Sequence, residues 1–142
     1  MTSQWKSRLL LALVFVVGFG LGATVNLPTL VAPSGGPEAG TVNLMLDYGD
    51  GEVASYSNIP TAAENVFQIT EKIAKENNLA FESQTYQDLG ALITKIGEKK
   101  NGEDGRYWQY WVNQQKPEVG AGAYVPQSGD FIEWKFLPFK SE

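Results

Sequence analysis

The sequence contains neither cysteine nor histidine. Without cysteine, the chain can form no disulfide bond, no thiolate zinc site and no lipid anchor on an N-terminal cysteine. Without histidine, it lacks imidazole metal ligands and the Ser-His and Cys-His pairs of nucleophilic catalysis. These absences exclude most common enzyme mechanisms. We therefore expect a protein that is not an enzyme and that has no catalytic residue, resident metal ion or cofactor.

Positive charge is also scarce. The 142 residues include eleven Lys and Arg against sixteen Asp and Glu, so the formal net charge is −5. Lys6 and Arg8 precede the first apolar run, which leaves nine positive against sixteen negative charges, or −7, for the rest of the chain. No segment concentrates the positive charge that phosphate groups require, so we expect no nucleic-acid partner.

One long apolar run covers residues 9–25, and no charged residue follows it before Glu38. Its length is close to the roughly 20 apolar residues that cross a bilayer. Basic residues lie just before it, and none follows until Lys72. The positive-inside rule therefore predicts that residues 1–8 are cytoplasmic, that residues 9–27 form a single transmembrane anchor, and that the rest lies outside the cell membrane.

A cleaved signal peptide is the alternative interpretation of the same segment. Its start is basic, and Gly20, Gly22 and Ala23 are small enough to form a cleavage site. In that case the mature protein is secreted. Both interpretations place the folded part of the chain outside the cytoplasm.

A change of composition separates this segment from the folded part. Residues 28–40 contain three prolines and three glycines, which predicts a flexible linker. We expect one folded domain at residues 41–139, long enough for a single hydrophobic core.

The domain begins with the pattern of a β-hairpin. Apolar and polar residues alternate over residues 41–48, as in a half-buried strand. Residues 49–51 supply two glycines for a tight turn, so residues 52–59 should return as an antiparallel strand. Pro60 is expected to end that strand.

A helix is predicted next, over residues 62–78. Thr61 and Glu64 match a capping box at its start. One face is apolar and the opposite face is charged. The apolar face consists of Ala62, Ala63, Val66, Ile69, Ile73 and Ala74.

The remaining residues predict further strands. These cover residues 79–86, 90–97, 107–113 and 130–136, with a solvated loop at residues 98–106. One helix can cover one face of the sheet that such strands form. The expected class is therefore α+β, with a sheet of four or five strands.

Acidic residues suggest two further sites, neither of which we favour. Asp47, Asp50 and Glu52 could offer oxygen ligands to Ca²⁺, but Asp and Gly are also the usual residues of a hairpin turn. Asp130 and Glu133 are the acids embedded among aromatic residues, and glycoside hydrolysis needs two acids flanking a cleft. Asp130 follows a glycine in a turn and Glu133 is expected to point to solvent, so we interpret both as structural.

Three motifs mark the C-terminal third of the chain. They are W-x-Y-x-V-N at residues 108–113, a Gly-Ala step leading to Tyr124, and G-D-x-I-x-W at residues 129–134. With these motifs, residues 41–136 resemble the domain of unknown function that also forms the C-terminal domain of transcobalamin and intrinsic factor. Gln114 departs from the family's usual Asn-Gly after the first motif.

This resemblance implies a β-grasp-like, ubiquitin-like mixed sheet packed on one helix. It also implies non-covalent binding, because in the cobalamin carriers the domain is similar to a lid over the corrinoid, which makes cobalamin a candidate ligand. The carriers enclose that ligand between two domains. One such domain alone offers half a site, and this chain has no histidine to serve as an axial cobalt ligand.

Strand alternation divides the aromatic residues into two sets. Trp108 and Tyr110 share one face of their strand, and Tyr107 and Trp111 share the other. Since one helix covers one face, the second set must be covered by loops or left for a ligand. The candidate ligand-binding residues are Tyr107, Trp111, Tyr124 and Phe131. Alternatively, these aromatic residues only pack the sheet, or they belong to a cell-surface structural or protein-interaction domain that docks an envelope protein and has no small-molecule ligand.

Overall fold

The structure is a computed structural model that describes residues 39–87 and 90–139. The predictions for residues 1–8, for the anchor or signal segment at residues 9–27, and for the linker as far as residue 38 lie outside these described residues. No helix in the described part of the chain is long and apolar enough to span a membrane.

One α-helix and seven strands are described. In chain order they are β1 (Gly40–Asp47), β2 (Val53–Thr61), α1 (Val66–Glu76), β3 (Phe81–Tyr86), β4 (Gly90–Ile96), β5 (Lys99–Lys100), β6 (Arg106–Val112) and β7 (Phe131–Pro138). A short 3-10 helix, Glu103–Gly105, precedes β6.

The strands form two sheets. The main sheet has four strands in the order β2-β1-β7-β6, and the small sheet has three in the order β3-β4-β5. In the main sheet β1 and β7 run parallel, and the other neighbours run antiparallel. The expected α+β class with one helix is confirmed, but the expected single sheet is wrong. Periodicity identifies the buried face of a strand, whereas the choice of partner strand depends on contacts distant in the sequence.

The hydrophobic core lies between the main sheet and α1. Its buried residues include Val42, Leu44, Leu46, Val66, Ile69, Ile73, Trp108, Val112, Ile132, Trp134 and Phe136. Ile93 and Ile96 of the small sheet belong to the same core. At its centre, Trp134 Nε1 donates a hydrogen bond of 2.9 Å to Thr70 Oγ1 on the helix. Strand alternation predicted that Trp108 and Tyr110 share one face of their strand. This prediction is confirmed for the face that packs in the core, since Trp108 is buried there and Tyr110 packs against it.

The helix begins later than predicted. Asn65 is the N-cap residue, and it forms a capping box with Gln68. Thr61 instead ends β2, Glu64 accepts a hydrogen bond from the backbone of Ala62, and residues 62–63 are exposed. Asn is at least as favourable as Thr at an N-cap. Here Asn65 has the additional advantage of a hydrogen bond from its side-chain amide to the carbonyl of Gly122.

The strand β2 continues through Pro60, where the sequence predicted its end. Because β2 lies at the edge of the main sheet, the missing N–H of proline need not cost a ladder hydrogen bond. Near this end Asn58 has a positive φ of 55° and the pairing with β1 shifts register. A bulge and a proline are two of the features that keep edge strands from pairing with other chains.

The end of β6 is a tight hairpin turn. Val112 and Gln115 form a bridge, and the two residues between them have positive φ angles of 50° at Asn113 and 65° at Gln114. Two-residue hairpin turns with positive φ at both positions favour the dipeptide Asn-Gly. At the second position Gln114 has a Cβ atom, which makes the left-handed conformation less favourable than it is for glycine.

We expect Gln114→Gly to raise the free energy of unfolding by about 0.5–1 kcal/mol, because it relieves the left-handed strain of a residue with a side chain. Urea unfolding followed by tryptophan fluorescence measures the change. Gln115→Gly is the matched control, since the neighbouring residue has no positive φ and should lose stability. A loss of stability in Gln114→Gly would contradict the claim that the positive φ of Gln114 strains the backbone.

Candidate binding site

A cavity of about 580 Å³ opens beside β6, which is an edge strand of the main sheet. Apolar side chains from four parts of the chain form most of its wall. They are Leu92, Tyr107, Trp108, Tyr110, Pro117, Val119 and Phe139. The volume lies in the range of roughly 300–1,000 Å³ that is typical of small-molecule sites.

Exposed apolar side chains cluster at this cavity. Of seven large exposed ones in the described residues, four line it: Leu92 at 44% exposure, Tyr107 at 40%, Val119 at 49% and Phe139 at 68%. A fifth, Tyr86, lines the adjoining groove. Single exposed apolar residues are normal on protein surfaces, whereas a contiguous group marks an interaction site.

The adjoining groove, of about 650 Å³, lies over the small sheet and is more polar. It shares Leu92, Asn101 and Tyr107 with the cavity. Its lining includes both members of an exposed ion pair, with 2.8 Å between Lys100 Nζ and Glu82 Oε2. A ligand that enters the apolar cavity can thus extend a polar part over the small sheet.

Asn101 fixes the distance between the two sheets at this site. Its Oδ1 accepts a hydrogen bond of 2.8 Å from the backbone N–H of Trp108, and its Nδ2 donates one of 3.0 Å to the carbonyl of Ile93. The indole N–H of Trp108 donates to the carbonyl of Lys99 at 3.0 Å. Because β4, β5 and β6 are joined in this way, the wall of the cavity is preformed.

Tyr110 holds the loop that forms the opposite wall. Its hydroxyl donates to the carbonyl of Val119, and its ring contacts Trp134 with the centroids 5.2 Å apart. Burial raises the pKa of Tyr110 to about 12, with a smaller contribution from Tyr124. The hydroxyl therefore stays protonated and available as a donor even at a pH at which a tyrosine with the ordinary pKa of 10.0 ionises.

The raised pKa of Tyr110 makes stability depend on alkaline pH. Between the ordinary pKa of 10.0 and the folded value of about 12, the folded chain keeps a proton that the unfolded chain loses. Its stabilising contribution is complete below about pH 10 and disappears as the pH rises through about 12.

We expect Tyr110→Phe to flatten the decline of the free energy of unfolding in this range, measured by urea unfolding at several pH values. Some decline should remain, because burial also raises the pKa of Tyr48 and Tyr56. If the variant and the wild-type chain decline with the same slope, Tyr110 does not carry the effect.

Among the sequence-predicted site residues, Tyr107 lies in the cavity wall. Its ring meets that of Phe139 edge to face, with centroids 6.2 Å apart. Trp111 lies on the same face of β6 but outside the cavity lining, half-buried, with the Nζ atoms of Lys135 and Lys116 at 5.0 and 5.9 Å from its ring centroid.

Tyr124 and Phe131 lie elsewhere. Tyr124 is half-buried on the helix side, where its carbonyl accepts from the first N–H of α1 at Val66. Phe131 is half-buried at the start of β7, and its N–H donates to Asn113 Oδ1. The four predicted residues therefore do not form one cluster, and only Tyr107 lines the cavity.

The sequence did not identify Leu92, Val119 and Phe139 as site residues. Alternation alone places Leu92 on the same face as Ile96, which is buried, and a register shift in the pairing of β3 with β4 lies between the two residues, so the sequence does not show that Leu92 is exposed. Val119 and Phe139 lie outside any periodic segment, so only the folded chain shows that they approach Tyr107.

The expectation that Glu133 points to solvent is wrong. Its side chain is buried, at 6% exposure, between its cross-strand neighbours Met45 and Trp111. Glu133 Oε1 lies 3.1 Å from Lys135 Nζ, and Oε2 has no hydrogen-bond partner among the described residues. Large neighbouring side chains can thus cover a sheet face that no helix covers.

The acidic turn between β1 and β2 is occupied by its own contacts. Asp47 Oδ1 accepts from the N–H of Gly49, and Asp50 Oδ1 accepts from that of Glu52. Asp50 Oδ2 lies 2.8 Å from Lys99 Nζ, and this contact holds the pKa of Asp50 below its usual value. Residues 39–87 and 90–139 contain no group of three or more acidic residues arranged to hold a metal ion.

The protein belongs to the family described as a domain of unknown function (DUF4430), which matches residues 63–137. Haptocorrin in complex with Cbi has a similar structure, with a TM-score of 0.64 and 22% identity over 73% of this chain. The match covers 26% of the haptocorrin chain, so this chain corresponds to about a quarter of that protein.

A second similar structure is that of a "putative metal binding protein" from Ruminococcus gnavus. Its TM-score is 0.56, with 18% identity over 71% of this chain and 99% of the other. Among curated proteins, none matches the sequence. The family and the haptocorrin likeness confirm the resemblance inferred from the motifs, and at these identities the two structures establish the fold.

Proposed function

We propose that this protein is an extracytoplasmic binding module that holds a small molecule, non-covalently, in the cavity beside β6. The observation that carries the proposal is the cluster of exposed apolar side chains around a preformed cavity of about 580 Å³. A corrinoid is the first candidate ligand, because the fold is shared with haptocorrin, whose structure contains Cbi.

The cavity supplies binding surface rather than catalytic groups. Its polar lining consists of Asn101, Gln109 and Lys116, and no carboxylate is among the lining residues. Asn101 is held by two hydrogen bonds and Lys116 Nζ donates to Gln109 Oε1 at 3.2 Å. We therefore propose binding, and not catalysis, as the role of this cavity.

One side of the ligand should remain uncovered. The cavity beside β6 is open to solvent in the described part of the chain. A corrinoid would thus contact the module through one face, and a second protein could cover the other.

Titration of the full-length chain with Cbi and with cobalamin tests the proposal. Trp108 lines the cavity, so we expect saturable quenching of tryptophan emission, with matching heat in calorimetry. Tyr107→Ala should weaken binding by about tenfold, since an aromatic contact contributes roughly 0.5–1.5 kcal/mol beyond its buried area.

Val53→Ala is the control, because Val53 is exposed on the opposite edge strand, β2. Its affinity should equal that of the wild-type chain. The absence of both quenching and heat at saturating concentrations would reject a corrinoid as the ligand.

The proposed location rests on the sequence. The uncharged residues 9–25, preceded by basic residues, favour a single-pass anchor in the cell membrane with the domain outside. Secretion after signal cleavage is the alternative. N-terminal sequencing of the mature protein distinguishes the two, because only cleavage removes the first residues.

A protein ligand is the second candidate. It is favoured by the exposure of Phe139, at 68%, in the cavity wall, and of Tyr86, at 44%, in the adjoining groove, because together they make an apolar surface wider than the cavity. The test is to find an envelope protein that binds the wild-type chain. This second function is supported over the first if Cbi does not displace that protein and if the Phe139→Asp variant no longer binds it.

A further inference from the structure

The strand β6 directs part of its backbone towards the cavity. The N–H of Asn113, just beyond β6, donates to the carbonyl of Phe131, which fixes the odd-numbered residues as those that hydrogen-bond with β7. The backbone groups of Trp108 and Tyr110 therefore point away from β7, to the open edge. Both residues line the cavity.

The chain satisfies its own backbone at both ends of this edge. Asn101 Oδ1 accepts from the N–H of Trp108, and Val112 and Gln115 exchange two hydrogen bonds across the hairpin, of 2.9 and 3.0 Å. Between these ends, no group in the described part of the chain hydrogen-bonds to the carbonyl of Trp108 or to the N–H and C=O of Tyr110.

The other edge of the main sheet is built differently. There β2 carries the bulge at Asn58 and the proline at Pro60, both of which discourage pairing. The edge of β6 at Tyr110 has neither feature. Its unpaired groups lie between apolar walls, where a ligand that brings matching polar groups replaces water.

The length of the unpaired edge limits what can pair with it. From Trp108 to Tyr110 the strand advances by two residues, or roughly 7 Å at about 3.3 Å per residue. Only Tyr110 offers a donor and an acceptor side by side, and Asn101 and the hairpin close the two ends. The opening therefore fits a single amide group and is too short for a strand of several residues.

We infer that the small molecule bound in this cavity carries a carboxamide that pairs with the backbone of Tyr110. The carboxamide oxygen accepts from the N–H of Tyr110, and its N–H donates to the carbonyl of Tyr110, while the apolar part of the ligand contacts Leu92, Tyr107 and Val119. The inference rests on the proposed function, because it assigns the chemistry of a ligand in the same cavity.

Two small probes of nearly the same shape test the inference. Nicotinamide offers the carboxamide, and methyl nicotinate replaces its N–H donors by an ester, which leaves the Tyr110 carbonyl without a partner. The experiment records amide and methyl resonances of the full-length chain in lipid nanodiscs during titration with each probe.

We expect nicotinamide to shift the Tyr110 amide proton downfield, to move the methyl signals of Leu92 and Val119, and to bind at least about tenfold more tightly than the ester. The amide of Trp111 is the internal control, because it already pairs with β7 and should not move.

Other results distinguish the failure of the carboxamide inference from the failure of the proposed binding site. Equal binding of both probes, with Leu92 and Val119 moving but the Tyr110 amide unchanged, overturns the carboxamide and leaves the cavity as a binding site. No shift at Leu92 or Val119 with either probe overturns both. Tighter binding by a capped extended tripeptide, with the Tyr110 amide shifted, shows that the partner is a polypeptide strand and also overturns the inference.

Discussion

Trp134→Ala is expected to lower the free energy of unfolding by about 3–5 kcal/mol, the usual cost of truncating a large buried aromatic residue. Trp134 is 3% exposed, contacts the ring of Tyr110, and donates its indole N–H to Thr70 on the helix. The substitution removes the contact that joins the helix to the centre of the sheet. Urea unfolding followed by circular dichroism measures the loss.

Two further variants keep this prediction measurable if Trp134→Ala fails to fold. Thr70→Val leaves the indole N–H without its acceptor and should cost about 1–3 kcal/mol. Trp111→Ala, on the face away from the helix and half-buried, should cost clearly less than Trp134→Ala. Equal losses for the two tryptophans would show that the helix side does not dominate the core.

Leu92→Arg is expected to weaken the binding of Cbi by at least about 30-fold, because it places a charged side chain in an apolar cavity. Leu92 is 44% exposed and lines both the cavity and the adjoining groove. Its exposure implies little loss of stability, within about 0.5 kcal/mol. Calorimetry and urea unfolding measure the two quantities separately.

Val125→Arg is the matched control for that variant. Val125 is 52% exposed and is not among the residues that line the cavity, so its substitution should leave the affinity unchanged. Binding by Leu92→Arg with the affinity of the wild-type chain would remove the cavity from consideration.

The fold was predictable where local patterns carry it. The alternation in β1 and β7 correctly placed Leu44, Ile132 and Trp134 in the core, because period two fixes which side chains share a face. The pairing of strands was harder to predict from the sequence. Residues 90–97 were recognised as a strand, yet their place in a separate small sheet depends on backbone pairing with β3 and β5, which the pattern within the strand does not specify.

The helix start shows how two local signals compete. Thr61 and Glu64 match a capping box, but Asn65 and Gln68 match it equally well four residues later. The later start prevails because the loop at residues 121–124 supplies carbonyl acceptors to the first helical N–H groups. Such acceptors lie far away in the sequence and leave no local pattern.

The site was predictable only in part for the same reason. Tyr107 was identified because strand alternation places it opposite the core set. Tyr124 was predicted as a site residue together with Tyr107. The sequence could not distinguish the two positions, because a loop residue has no periodicity that assigns its side chain to one face of the sheet. Leu92, Val119 and Phe139 come from three distant segments, and their approach to Tyr107 is a property of the folded chain.

Backbone hydrogen exchange of the full-length chain, with and without Cbi, tests the proposed location of the site most directly. Ligand-dependent protection should appear in residues 90–101 and 106–119, which contain the cavity wall and the open edge at Tyr110. The strands β1 and β2 should exchange as they do without Cbi. Protection centred on β1 and β2, or none in the two cavity segments, would contradict a ligand site beside β6.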